Sequence, residues 1–136
     1  MKGYLLDTNL ISEILKKRPS QEVLERLRLV PKGELFSSSV CIMELRFGTA
    51  RHPNGRRLWE RIKDQALKHI SILPLGFDEA AKAGEVLAAL EASGTPIGLE
   101  DVLIGSTALV RGLTVATRNV KHFARIDGLM VESWWD

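Results

Sequence analysis

Tyr4-Leu5-Leu6-Asp7-Thr8-Asn9 is the stretch that decides the fold. Its apolar run is short and unbroken, and it stops at an acid. Such a run reads as a strand buried on both faces, as in a parallel sheet, with its carboxyl end at Asp7. Working outward, residues 9–16 read as a short helix that Arg18-Pro19 stops. Ser20 caps a second helix over 21–29, with Val23, Leu24 and Leu27 on one face. A strand at 35–37 runs through serines into a helix at 40–50. Next come an amphipathic helix at 56–69, a strand at 70–75 and an Ala-rich helix at 78–93 closed by Gly94. Helix 98–111, strand 113–116, a short helix at 120–123 and an edge strand at 129–131 complete the pattern. Short apolar runs alternating with helical periods predict an α/β domain on a mostly parallel sheet.

The 136 residues suit a single domain spanning 1–136. A hydrophobic fraction of 45% and a charged fraction of 26% are ordinary for a folded globular chain. The net charge of +2 leans only mildly toward nucleic acid. The single cysteine, Cys41, excludes a disulfide framework and a Cys-rich zinc site. No apolar stretch approaches the ~20 residues of a membrane span. The N-terminal apolar run is too short for a signal peptide. The expected location is the cytoplasm.

Most acids fall on plausible solvent faces of helices, and three do not. Asp7 ends the first buried strand, where α/β sheets bind ligands; it could equally cap the next helix. Glu44 shares an i, i+4, i+7 stripe with Val40 and Phe47. A carboxylate on such a stripe needs a cation or a salt-bridge partner, for which Arg46 or Arg118 could serve. Asp101 lies on the stripe Ile97, Asp101, Ile104, Ala108 in the first turn of its helix. There the helix dipole alone would also favour an ionised acid. Three carboxylates gathered at one sheet edge would repel one another without a cation. An oxygen-only set suits Mg²⁺ or Mn²⁺ rather than zinc. His52, His69 and His122 have no ligand spacing with one another.

Four blocks in order resemble the PIN-domain family, and within it the VapC-type toxins of bacterial type II toxin–antitoxin pairs. They are Leu5-Leu6-Asp7-Thr8-Asn9 with Ile11-Ser12, and Ser38-Ser39-Val40 through Met43-Glu44-Leu45-Arg46-Phe47-Gly48. After these come Ile97-Gly98-Leu99-Glu100-Asp101-Val102-Leu103-Ile104, and then Ala116-Thr117-Arg118-Asn119 with His122-Phe123. The resemblance implies a three-layer α/β/α sandwich with a mostly parallel central sheet. It also implies a metal-dependent endoribonuclease that hydrolyses RNA phosphodiester bonds at an acidic Mg²⁺ or Mn²⁺ site. Asp7, Glu44 and Asp101 match the family's principal acids and metal ligands. The family often carries a fourth acid shortly before the Phe of the last block. This chain has Asn119-Val120-Lys121-His122-Phe123 there, so Asn119 is the catalytic candidate, and a second metal is in doubt. His122 reads as a surface residue. Thr8, Arg46, Thr117 and Arg118 are candidates for positioning the RNA phosphate.

The partners the resemblance implies are an RNA substrate, a cognate antitoxin protein and a second copy in a homodimer, with no membrane. Higher toxin–antitoxin hetero-oligomers are also implied. The antitoxin groove would run over residues 11–29 and around Phe47. A PIN module that binds RNA or protein without cutting is one alternative. A phosphoacceptor receiver domain is the other. That class calls for an acidic pair after the first strand, where this chain has Asp7-Thr8, and for an Asp ending a middle strand, where it has Ser37 and Leu75-Gly76.

Overall fold

The structure is a computed structural model that describes residues 3–135. The 1–136 span therefore reaches beyond it at residues 1, 2 and 136. In chain order the elements are β1 (Tyr4–Leu6), α1 (Thr8–Ile14), α2 (Gln21–Leu29), β2 (Leu35–Ser38), α3 (Ser39–Ala50) and α4 (Gly55–Gln65). Then follow β3 (Ser71–Leu73), α5 (Phe77–Ser93), α6 (Leu99–Arg111), β4 (Thr114–Ala116), α7 (Val120–Phe123) and β5 (Val131–Glu132).

The five strands form one sheet in the order β3-β2-β1-β4-β5, and every pairing is parallel. β1 is central, with Leu5 opposite both Phe36 and Val115. Its side chains alternate between faces, so Leu5 enters one core and Leu6 the other. The Leu5 core takes in Val86 and Leu90 of α5, Ile104 of α6 and Phe123 of α7. The Leu6 core takes in Leu10, Val23 and Ile62 from α1, α2 and α4, together with Trp134. Helices thus cover both faces of a parallel sheet, the expected three layers. Leu5 and Leu6 are fully buried, and each contributes roughly 1.5–3 kcal/mol through that burial.

Two segments depart from the sequence reading. The helix expected over 56–69 ends at Gln65, and a 3-10 turn over Leu67–His69 follows. Ala66 and Ile70 both belong to the Leu6 core, and the tighter turn delivers Ile70 in extended geometry immediately before β3. The last strand lies at Val131–Glu132 rather than 129–131. Leu129 instead packs on the Leu5 core, and Met130 contributes its carbonyl to Val115.

The chain runs from β1 outward to β3, then returns to place β4 on the other side of β1. The carboxyl ends of β1 and β4 therefore flank a topological switch point, where open parallel sheets present ligand sites.

Candidate active site

Asp7 follows the last residue of β1, and it is buried. It is also the N-cap of α1, since its Oδ1 accepts from the Leu10 amide at 3.0 Å. The cap and the site are one residue. Its other oxygen, Oδ2, accepts from Thr117 Oγ1 at 2.6 Å across the switch point. Burial pushes the Asp7 carboxyl up from 3.8 to about 6, against the pull of the Thr117 and Leu10 hydrogen bonds. The charges of Asp101 and Glu44 push it further in the same direction. The three acids singled out from the sequence therefore share one electrostatic site.

Glu44 reaches the site from α3, half-buried, and Thr8 Oγ1 donates to its Oε1. The arginine partner considered from the sequence is replaced by this hydroxyl. Arg46 instead donates to Thr49 Oγ1 at 3.1 Å and lies over the Trp59 ring at 5.6 Å. Arg118 lies over Trp135 at 5.5 Å. The stripe shared by Val40 and Phe47 also leaves the core along its length: Val40 is buried, Glu44 intermediate and Phe47 exposed. Phe47, Met43 and Arg51 line a groove of about 380 Å³ beside Glu44.

Asp101 sits in the first turn of α6, the favourable end of the helix dipole, and its side chain is partly exposed. The β4–α7 segment closes the arrangement. The Asn119 amide N–H donates to Thr117 Oγ1 at 2.8 Å, and the Asn119 side-chain nitrogen lies 2.7 Å from His122 Nδ1. His122 Nδ1 in turn lies 3.4 Å from Asp101 Oδ2. The sequence reading placed His122 on the surface, and its side chain is indeed 46% exposed while also facing Asp101. Its signal was the spacing Asn119-x-x-His122, which puts both side chains on one side of a single helical turn.

Cys41 lies just behind this site. It is buried, with Sγ 3.8 Å from the Leu6 carbonyl, and burial raises its thiol pKa. That environment suits a packed thiol, not a nucleophile.

The donor set is consistent with a hydrated divalent cation. All three principal groups are carboxylates, and their mutual repulsion is relieved by positive charge. Among the described residues no three His, Cys, Asp or Glu side chains close into a ready-made ligand cluster. Mg²⁺ keeps several waters and takes one or two carboxylates directly, so such a cluster is not a requirement for it. A zinc-type cage of nitrogen and sulfur ligands is a different chemistry.

The PIN domain family model matches residues 4–129. The tRNA(fMet)-specific endonuclease VapC of Shigella flexneri is 33% identical over 134 residues, covering 98% of this chain and 99% of that protein. Toxin FitB of Neisseria gonorrhoeae is 34% identical over 137 residues, covering 97% and 99%. The crystal structure of DNA-bound VapBC from Salmonella typhimurium superposes with a TM-score of 0.88 at 31% identity, over 98% of this chain and 99% of that one.

Proposed function

The chain belongs to the PIN-domain family and its VapC-type toxin ribonucleases, and from that premise we propose that it is a Mg²⁺-dependent endoribonuclease acting through Asp7, Glu44 and Asp101. The observation that carries this reading is the shared field of the three acids, with Asp7 raised to about 6 at the mouth of the switch point. A fold alone does not define chemistry, and acids that share one field at a ligand-binding edge support this reading.

Asp7, Asp101 and Glu44 would hold the cation, which supplies charge stabilisation at the phosphoryl oxygen and acidifies the attacking water. The residues of the chain do the rest. Thr117 fixes the orientation of Asp7 from β4. Thr8 holds Oε1 of Glu44, which leaves Oε2 to accept a proton from the attacking water. Asn119 holds Thr117 through its main-chain N–H, so its own role is to support the site from behind. Arg46 and Arg118 would meet the RNA backbone only by leaving their tryptophans.

The protein partners proposed are a cognate antitoxin, following the toxin and VapBC descriptions of the relatives, and a second copy of the chain. The exposed groove at Met43, Phe47 and Arg51 adjoins Glu44, so a partner seated there would lie against the active site.

Purified chain, freed of any partner, is incubated with mixed RNAs in Mg²⁺, in Mn²⁺ or in EDTA. Metal-dependent cleavage that disappears in Asp7→Asn supports the proposal. Cleavage that survives EDTA, or undiminished cleavage by Asp7→Asn, refutes it.

A further inference from the structure

The fold joins Asp7 and Asp101 by a path that uses neither cation nor substrate. It starts at Asp7 Oδ2, passes through Thr117 Oγ1 to the Asn119 main chain, crosses from the Asn119 amide to His122 Nδ1, and ends at Asp101 Oδ2. Two carboxylates on separate elements, the end of β1 and the start of α6, are thereby linked through six consecutive residues, 117–122. From this geometry we infer that His122 is a positioning residue, whose Nδ1–H holds Asp101 and so sets the affinity of the site for a divalent cation. The inference rests on the metal-site reading above and deepens it.

The tautomer follows from the neighbours. His122 Nδ1 faces a carboxylate oxygen of Asp101 at 3.4 Å. An unprotonated Nδ1 would set lone pair against lone pair there, whereas Nδ1–H is attracted to the charge. The Asn119 side-chain nitrogen lies 2.7 Å from Nδ1, so an Nδ1–H requires the amide to turn about χ2 and present its oxygen to the ring instead. In that arrangement Nδ1–H would be shared between the Asn119 amide oxygen and Asp101. A carboxylate oriented in this way binds a cation without first being immobilised, and removal of such supporting contacts typically costs 10–100-fold in metal affinity.

The packing explains how α7 is held against α6. α7 is only four residues long, yet Phe123 is fully buried in the Leu5 core, next to His122 in the chain. α6 receives α7 at Gly105, one turn beyond Asp101. A Cβ at Gly105 would stand 2.6 Å from Ile126 Cδ1 and 3.5 Å from Phe123 Cδ1. The missing side chain lets the two helices approach closely enough for His122 to meet Asp101.

The test is Mn²⁺ binding to the purified chain, by calorimetry and by loss of the free-ion electron paramagnetic resonance signal, for wild type and three variants. His122→Ala is expected to weaken Mn²⁺ binding by about 10-fold or more. His122→Asn places an amide nitrogen where Nδ1 stands, and it is expected to bind within about 3-fold of wild type. His122→Gln places its amide where Nε2 stands, and it is expected to behave like Ala. Thermal unfolding monitored alongside separates loss of the fold from loss of the site. Wild-type affinity in His122→Ala, or rescue by Gln but not Asn, overturns the inference while leaving the nuclease reading intact. A variant that binds Mn²⁺ normally but shows a raised KM for RNA overturns it in favour of a substrate contact. A wild type that binds no Mn²⁺ overturns the metal-site reading and this inference with it.

Discussion

Thr117 Oγ1 donates to Asp7 Oδ2 at 2.6 Å, joining the ends of two neighbouring strands that are 110 residues apart in the chain. Both residues are buried. The bond is made to a charge-bearing acceptor, a class worth roughly 1.5–3 kcal/mol. Thr117→Val keeps the shape and removes the donor. It is expected to lower kcat by about 10-fold or more, in line with that energy, and to raise the Asp7 pKa further. The pH profile of single-turnover cleavage would reveal the change as a shift of its acidic limb to higher pH. An unchanged profile would mean that Thr117 does not act through Asp7.

Asp7 itself should destabilise the metal-free protein at neutral pH. Its pKa is raised from 3.8 to about 6 by folding, so between those values the folded chain binds more protons than the unfolded one. Stability therefore falls as pH rises through that window. Asp7→Asn is expected to stabilise the metal-free chain above pH 6, by up to about 3 kcal/mol from the size of the shift. The gain should vanish below about pH 4 and shrink in saturating Mg²⁺. Chemical denaturation at pH 4, 6 and 8 measures it, and a gain that is the same at all three values would contradict the account.

Glu79 shows the opposite sign. It closes a capping box on the Gly76 amide at 3.0 Å and meets Arg111 Nε at 3.1 Å, tying the start of α5 to the end of α6. Hydrogen bonds from backbone amides, aided by Arg111, lower its pKa from 4.5. Its contribution is thus complete above about 4.5 and is lost as pH falls through the lowered value. Glu79→Gln is expected to cost about 1 kcal/mol at pH 7 and nothing in strong acid. Denaturation midpoints at pH 7 and pH 2 provide the comparison.

Trp134 anchors the end of the described chain. It is fully buried, meets Tyr4 edge-on at 5.2 Å and lies under Arg26 at 5.4 Å. Its Nε1 donates to Glu132 Oε1 at 2.9 Å, and Arg26 pairs with that same carboxylate oxygen. Trp134→Ala is expected to cost about 3–5 kcal/mol, whereas Trp134→Phe should lose far less. Calorimetric melting of both variants would distinguish packing from the Nε1 bond.

These residues also mark what the sequence could and could not reveal. Asp7, Glu44 and Asp101 stood out because each is an acid where the local pattern calls for an apolar or capping residue. That is a one-dimensional signal. Their partners are three-dimensional. Thr8 meets Glu44 across 36 residues and His122 meets Asp101 across 21, and no periodicity encodes either. Arg46 looked like a partner for Glu44 because it is close in sequence, but helical geometry turns residues two apart to different faces. Trp134 packs in the second core, edge-on to Tyr4 and beneath Arg26, contacts that no local pattern announces. The boundary errors at 66–70 and 129–132 share one cause: burial of Ile70 and packing of the partly buried Leu129 against the core override local propensity.

The strand order has a consequence for how the protein is made. β4 pairs with β1, and translation delivers it long after β2 and β3. A nascent chain that has emerged only as far as Gly98 carries Asp7 and Glu44 but neither Asp101 nor the Thr117 hydroxyl. Such a chain lacks part of the proposed site. A chain terminated anywhere before α6 is expected to be inactive. The topology thus completes the proposed site only when nearly the whole of the domain has been synthesised.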